Sequence, residues 1–409
     1  MHLKPIDSLK TLVAAGLAVA LIGCGEQPGQ VAEDGMQATD KPVAEAPVEL
    51  PEAADNPFFA EWDTPYGIPP FDRIGDEHYK PAFEAGIEQL RTDVATIRDN
   101  PEPPTFENTV EALELAGGLL DKVYGVFGNI TNTDTNDALQ ELEVEIYPRL
   151  TAEQDAILLD EKLYQRVRAV YDARESLGLD PEELRLVELT HRDFVRRGAA
   201  LEDAAKARMK EINARLSELN TVFGQNLLKQ TKSFELHVTD EADLAGLPDN
   251  MLGSARAKAE ARGKEGWVFG LDRGTYEGFM TFADNRELRR QMNEAYRARG
   301  AQGDAEDNRD LATEIAKLRA ERAQLMGYPN HAAYVLETNM AKTPARVESF
   351  LNEVWQPGLK KAQEELAEMQ KIVQEEGNDF LIEQHDWWYY AEKLRQKKCA
   401  LTEDEVKPY

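Results

Sequence analysis

Cysteine is scarce in this sequence, which holds only Cys24 and Cys399 in 409 residues. Cys24 directly follows an apolar N-terminal run and has a separate interpretation, given below. A disulfide within the folded chain is therefore not expected, since Cys399 has no other partner. We expect an apolar helical core to stabilise the fold instead.

Positive charge is also in short supply. The chain has 47 Lys and Arg residues against 76 Asp and Glu residues, and its formal net charge is -29. Proteins that bind nucleic acid need a basic surface to face the phosphates, and each Lys/Arg cluster here is interleaved with acidic residues. The composition argues against nucleic acid as a partner and favours a solvated acidic surface.

Several catalytic motifs are missing. The sequence has no Gly-x-Ser-x-Gly segment and no glycine-rich loop of the kind that binds phosphate. No histidine begins a His-Glu-x-x-His pattern, which would place two imidazoles and a glutamate on one helix face to hold zinc and assist it. The sequence therefore predicts no catalytic residue and no metal ligand in this chain. The six histidines are His2, His78, His191, His237, His331 and His385.

Two near-matches have structural interpretations. Glu188 and His191 form one Glu-x-x-His step, but a di-iron bundle needs a second step and two more inward glutamates, so we interpret His191 as structural. Cys399 follows Lys397 and Lys398, which favour a thiolate, but no histidine follows to act as a base. We therefore expect Cys399 to be a partly buried, unreactive thiol.

Long hydrophobic runs are absent apart from residues 12–23. Lys4 and Lys10 precede this run, which is too short to span a membrane but has the length of a secretory signal. Leu-Ile-Gly-Cys at 21–24 resembles a bacterial lipobox; the alternative is an ordinary cleavage site with an incidental cysteine. We predict a lipoprotein signal peptide at 1–23 and lipid attachment at Cys24, which would anchor the exported chain to a membrane of the bacterial cell envelope, on the periplasmic side.

Residues 24–56 are rich in Ala, Pro, Glu and Asp and are predicted to be a disordered tether. Beyond them, apolar residues recur at helical spacing and the breaks between segments are short. The predicted fold is mainly α, a multi-helical array. The expected helices include one through Phe83, Ile87, Leu90, Val94 and Ile97, and others at Asp137 to Ile146, Ala152 to Gly178 and Pro181 to Arg197.

A helix of about thirty residues is predicted to follow, on the apolar stripe of Ala205 to Phe223. Short strands are then predicted at Phe234 to Val238 and Trp267 to Leu271, with a helix between them at Asn250 to Arg262. These three elements form a small α/β insert. The predicted domains are thus 57–233, a helical domain, and 234–409, the insert with further helices.

Capping patterns mark helix starts in the second domain. Asp284 with Glu287 forms a capping box, and Asp386 is placed to cap a helix whose apolar face includes Trp387 and Tyr390. Thr402 with Glu405 is a further capping box near the end of the sequence.

Five short segments occur in a characteristic order. They are Pro-Thr-Phe-Glu-Asn-Thr at 104–109, Asp-Asn-Arg-Glu-Leu-Arg at 284–289, Ala-Gln-Leu-Met-Gly-Tyr at 323–328, Met-Ala-Lys-Thr-Pro at 340–344, and Asp-Trp-Trp-Tyr-Tyr-Ala-Glu at 386–392. In this order they resemble segments of the bacterial peptidyl-dipeptidase and oligopeptidase group of zinc metallopeptidases, which is related to thimet oligopeptidase.

The resemblance implies the N-terminal lobe of a two-lobed zinc oligopeptidase that cleaves short peptides, either as a peptidyl-dipeptidase or as an oligopeptidase. In that family the His-Glu-x-x-His motif follows the 386–392 segment, so we expect this chain to be a fragment that stops before the zinc site and is inactive alone. A missing C-terminal catalytic lobe would then be its partner. The alternative is a non-catalytic helical lipoprotein that binds peptides or a partner protein.

Overall fold

A computed structural model describes residues 56–399 of the chain. The predicted signal peptide, most of the predicted tether, Cys24 and the Thr402–Glu405 capping box lie outside these residues. Between residues 56 and 399, no helix is both long and apolar enough to cross a membrane.

The described chain forms two compact units. The first comprises residues 56–222 and 313–331, and the second comprises residues 223–312 and 332–399. The sequence predicts a single division at residues 233 and 234. In space the division falls between residues 222 and 223, and residues 313–331, which include most of a later helix, belong with the first unit.

Helices make up nearly all of the regular structure in the first half of the chain. The chain enters through short turns before the first long helix, and a single π-helical turn at Phe106–Glu111 leads into the second helix. The helices are α1 (Tyr79–Arg98), α2 (Ala112–Leu115), α3 (Gly118–Thr133), α4 (Asp137–Leu158), α5 (Glu161–Ala173), α6 (Pro181–Arg197) and α7 (Asp203–Ser233).

The predicted apolar stripe of α1 is confirmed, since Phe83, Ile87 and its other members are buried in the core of the first unit. Helix α3 packs closely on this stripe. Gly86 makes the close contact possible, because a Cβ at this position would lie 2.9 Å from the Cα of Leu120. The predicted bounds of α6 are also confirmed, and its cap is Asp180, whose carboxylate accepts the N–H groups of Glu182 and Glu183.

The predicted break after Ile146 is wrong. Helix α4 continues through Pro148 to Leu158, although a proline inside a helix lacks one backbone donor and costs roughly 3 kcal/mol. Ile146 and Leu150 on either side of the proline are both buried, and this packing offsets the cost. The chain breaks instead before α5, where the Asp160 carboxylate accepts the Leu163 N–H at 2.7 Å.

The second half of the chain contains the small α/β insert that the sequence predicts. Two short antiparallel strands pair Leu236 with Phe269 and Val238 with Trp267, and a helix lies between them in sequence. The elements are β1 (Leu236–Val238), α8 (Asp249–Ala261), β2 (Trp267–Phe269), α9 (Arg273–Phe282), α10 (Arg286–Ala298), α11 (Arg309–Leu325), α12 (His331–Leu336), α13 (Pro344–Glu375) and α14 (Trp387–Lys398). The mainly helical fold class with a small α/β insert is thereby confirmed.

Candidate functional site

Two of the sequence segments that carry the family resemblance meet in the second unit. Residues 284–289 lead into α10, and residues 386–392 begin α14. Arg286 and Arg289, three residues apart on one side of α10, both reach the carboxylate of Asp386. The Arg286 Nη2 donates to Asp386 Oδ2 at 2.7 Å, and the Arg289 Nη2 donates to Oδ1 at 2.9 Å.

The Arg–Asp cluster is formed by Arg286, Arg289 and Asp386, and its centre is buried while Arg286 stays partly exposed. Arg289 is 1% exposed and Asp386 is 0% exposed. Burial by itself raises the pKa of Asp386, but hydrogen bonds from Arg286, from the Glu383 N–H and from Arg289 outweigh burial and hold the pKa below its usual range. The carboxylate is therefore ionised at neutral pH.

Other donors of Arg289 are used by the backbone. Its guanidinium donates to the carbonyl oxygens of Ala283 at 2.7 Å, Asp284 at 3.1 Å and His385 at 3.2 Å. With the bond to Asp386, four of the five guanidinium N–H donors of Arg289 are thus used within the protein. The cluster consequently fixes the start of α14 against the start of α10.

Two predicted caps are wrong because longer-range partners take their side chains. Asp284 is not the cap of α10; its Oδ1 accepts the hydroxyl of Tyr389 at 2.7 Å. The cap is Asn285, whose Oδ1 accepts the Leu288 N–H at 3.1 Å. Asp386 likewise makes no side-chain cap for α14, because its carboxylate binds the two arginines.

A groove of about 1020 Å³ lies beside α14 in the same unit. Residues of α8, α9 and α14 line it. On the α9 side the lining includes the small residues Gly274, Thr275 and Gly278. Trp388, 40% exposed, contributes an aromatic surface on the α14 side. The Arg–Asp cluster positions this tryptophan, because it fixes the first turn of the helix.

Two ion pairs line the groove. Lys258 Nζ contacts Asp272 Oδ2 at 2.9 Å, and Arg395 Nε contacts Glu392 Oε2 at 2.6 Å. Apolar side chains such as Phe269 and Met251 alternate with these polar groups. The lining carries two basic and three acidic side chains, so the groove is mixed in polarity and its charge is slightly negative.

The histidines that the structure describes do not come together in a metal site. His191 stacks on Tyr171 with ring centroids 3.8 Å apart, and burial lowers its pKa. His237 Nε2 bonds to the carbonyl oxygen of Glu265 at 2.7 Å. Across residues 56–399, no three His, Cys, Asp or Glu side chains converge in a way that would hold a metal ion. The described residues do not fit a zinc site, and no catalytic step through a metal can be derived from them.

The structure tests the prediction for only one of the two cysteines. Cys24, the predicted lipid attachment site, lies outside the described residues. Cys399 is free and exposed at the end of α14, so the expectation of a partly buried thiol is wrong. The neighbouring Lys397 instead pairs with Glu375 at 2.7 Å.

Sequence reasoning did not find the Arg–Asp cluster. One feature of the sequence could have indicated it. Arg289 lies between Leu288 and Met292, at the spacing of the apolar face of α10. A charged residue at a position that faces the core needs a buried partner of opposite charge. The sequence alone does not identify Asp386, 97 residues later, as that partner.

Comparison with known proteins identifies the family. Residues 279–409 match Peptidase family M3. Over 355 residues the chain is 38% identical to dipeptidyl carboxypeptidase of Escherichia coli, covering 87% of this chain and 52% of that protein. It is 31% identical over 350 residues to oligopeptidase A of E. coli, covering 85% of this chain and 52% of that protein. A plant relative, the probable cytosolic oligopeptidase A of Arabidopsis thaliana, is 28% identical over 87% of this chain and 51% of its own length.

The chain spans about half the length of the curated relatives it matches. The match to Peptidase family M3 includes the whole Arg–Asp cluster and α10 to α14. The resemblance predicted from the five sequence segments is thereby confirmed, and the chain belongs to peptidase family M3.

Proposed function

We propose that this chain takes part in the hydrolysis of short peptides by a zinc-dependent peptidase that removes dipeptides from the carboxyl end. The observation that carries the proposal is the 38% identity to dipeptidyl carboxypeptidase over 355 residues. Peptidases of family M3 are generally zinc enzymes. The lower identity of 31% to oligopeptidase A makes cleavage within peptides the competing form of the same activity.

The described residues would contribute peptide binding and support rather than bond cleavage. The groove beside α14 offers the aromatic surface of Trp388 and paired charges to an extended chain. The Arg–Asp cluster would hold that surface in place, because Asp386 immediately precedes the helix that carries the tryptophan. Since residues 56–399 do not fit a zinc site, the 409-residue chain by itself would not hydrolyse peptides.

The test uses the protein as its gene encodes it and two versions of one short peptide. One version has a free carboxyl end and the other is amidated at that end. We expect release of the C-terminal dipeptide from the free peptide only, detected by mass spectrometry, with loss of activity on zinc chelation and recovery when zinc is added.

Each other outcome decides against the proposal in a defined way. Internal cleavage of both peptides at similar rates would assign the oligopeptidase activity instead. Binding of both peptides without any cleavage would favour the non-catalytic scaffold.

We also propose that Cys24 carries a lipid after removal of residues 1–23. The support is the sequence pattern, a positively charged start followed by the apolar run that ends at Cys24. In bacterial cells, Cys24→Ala should move the protein from the membrane fraction to the soluble fraction and remove the lipid mass from its N-terminal peptide. Cys399→Ala, which changes the only other cysteine, is the matched control and should leave both unchanged. Equal membrane association of the Cys24→Ala protein would refute lipid anchoring.

A further inference from the structure

The groove beside α14 has an exposed tryptophan in its α14 wall. The α14 residues Trp388, Glu392 and Arg395 line the groove at steps of four and three positions, so they share one helix face. The ring of Trp388 lies 6.2 Å from that of Tyr276 on α9, at an angle of 59°. Tyr276 in turn stacks on Tyr296 with ring centroids 3.7 Å apart. Trp388 therefore has an ordered aromatic neighbour while 40% of its surface stays open.

The α9 wall supplies a carboxylate. Its lining residues follow helical spacing and are Gly274, Glu277, Gly278 and Thr281, of which Glu277 alone is charged. Glu277 Oε1 accepts from Arg273 Nε at 2.7 Å, but Arg273 does not line the groove and its side chain is 82% exposed. Exposed ion pairs of this kind contribute little to stability. A cation on a ligand can therefore replace Arg273 as the partner of Glu277.

The two basic side chains of the groove already have carboxylate partners that line the groove with them. Arg395 donates through Nε and Nη2 to the two carboxylate oxygens of Glu392, at 2.6 and 2.7 Å. Lys258 Nζ donates to Asp272 Oδ2 at 2.9 Å. An acidic side chain that enters the groove has to compete with these carboxylates for the same cations. The groove therefore disfavours acidic ligands.

We propose that the groove binds a peptide through an arginine or lysine side chain, whose cation lies on the ring of Trp388 and pairs with Glu277. A cation over the face of a tryptophan is attracted by the negative charge of the ring face. Both groups belong to one part of the groove, because Glu277 directly follows Tyr276, whose ring neighbours Trp388. The excess of acidic over basic side chains in the lining favours the same class of ligand. The inference rests on the proposed function, since it takes the ligands to be short peptides.

Calorimetric titration with three peptides tests the proposal on the protein as its gene encodes it. Zinc is first removed by chelation so that the peptides stay intact. The peptides have identical ends and differ at one central residue, which is arginine, its neutral isostere citrulline, or glutamate. We expect the arginine peptide to bind about fivefold tighter than the citrulline peptide, and the glutamate peptide to bind most weakly.

Substitutions then show whether the preference for arginine over citrulline arises in the groove. Glu277→Gln and Trp388→Leu should each reduce this preference to about twofold or less. Glu260→Gln makes the same change in charge at an exposed position of α8 outside the groove and should leave the preference unchanged. Circular dichroism verifies the fold of each variant, and Glu277→Gln decides alone if Trp388→Leu does not fold.

Equal affinity for the arginine and citrulline peptides would overturn the inference. Tighter binding of the glutamate peptide, an unchanged preference in either folded groove variant, or no peptide binding at all would also overturn it. Dipeptide release by the zinc-loaded protein judges the proposed peptidase activity separately. Release without an arginine preference in binding contradicts this inference alone, whereas the preference without release contradicts the proposed activity alone.

Discussion

At the scale of single residues, two buried carboxylates lie in opposite electrostatic environments. Asp386 directly contacts two guanidinium groups, and its pKa is held below the usual range despite burial. Asp155 is 4% exposed on α4 and accepts a hydrogen bond from the neutral amide of Asn213 at 2.8 Å. Burial raises the pKa of Asp155 to about 6, although the Asn213 hydrogen bond and nearby cations lower it.

The raised pKa predicts that Asp155→Asn stabilises the protein at alkaline pH. Because the folded state binds the Asp155 proton more tightly than the unfolded state, this group favours folding at acidic pH and loses that advantage as the pH rises from about 4 to about 6. A difference of about two pKa units corresponds to about 3 kcal/mol, which is the upper limit of the expected gain. Urea unfolding of both proteins at pH 4.5 and pH 8 measures it, with the gain present mainly at pH 8.

The control for this prediction is Asp172→Asn, which changes an exposed carboxylate on α5. It should alter the free energy of unfolding by less than about 0.5 kcal/mol at either pH. A gain for Asp155→Asn that is equal at both pH values, or a loss at pH 8, would contradict the account of the buried carboxylate.

Residue identity alone did not predict the role of Asp386. An aspartate just before a helical apolar pattern is typical of an N-cap, which is a local interaction and can be inferred from neighbouring residues. Here the long-range ion pair with Arg286 and Arg289 takes the carboxylate, and the local rule therefore fails. By contrast, Asp180 and Thr343 cap their helices with local side-chain hydrogen bonds.

At the scale of elements, the Arg–Asp cluster joins the starts of α10 and α14. Asp386→Asn should lower the free energy of unfolding of the second unit by about 3 kcal/mol or more, because it leaves two guanidinium groups without their shared counter-charge. Since the pKa of Asp386 is lowered on folding, this stabilisation is present above about pH 4 and is lost as the pH falls through the folded value. Urea unfolding at pH 7, followed by tryptophan fluorescence, measures the change.

Glu383→Gln provides the matched control on the same cluster. Glu383 is an exposed carboxylate that lies 3.4 Å from Arg286, and exposed ion pairs contribute less than about 1 kcal/mol. If both variants lowered the free energy of unfolding by the same amount, burial of Asp386 would not add to the stability that its ion pairs provide. Such a result would remove the argument that the cluster positions Trp388.

The buried faces of helices with a clear apolar stripe could be predicted from the sequence. The residues at which helices end were harder to predict. The stripes of α1 and α7 give the correct faces because burial follows helical periodicity directly. The break placed near Pro148 was wrong because tertiary packing of Ile146 and Leu150 outweighs a local helix-breaking signal.

At the scale of the whole molecule, the fold class followed from composition and periodicity, whereas the family followed from short segments in a fixed order. Two of these segments, 284–289 and 386–392, occur together for a structural reason: their side chains form the Arg–Asp cluster. The groove beside Trp388 was not predictable, because it depends on how three helices separated in sequence pack together.

We infer that residues 56–399 form a helical part of an M3 peptidase and contain no zinc site, and the purified 409-residue chain is the decisive sample. The measurement is the zinc content of the folded chain after equilibration with zinc and dialysis, together with hydrolysis of an internally quenched short peptide. We predict no stoichiometric zinc and no hydrolysis, with the fold verified by circular dichroism. One tightly bound zinc per chain, with peptide hydrolysis that a chelator abolishes, would contradict the account.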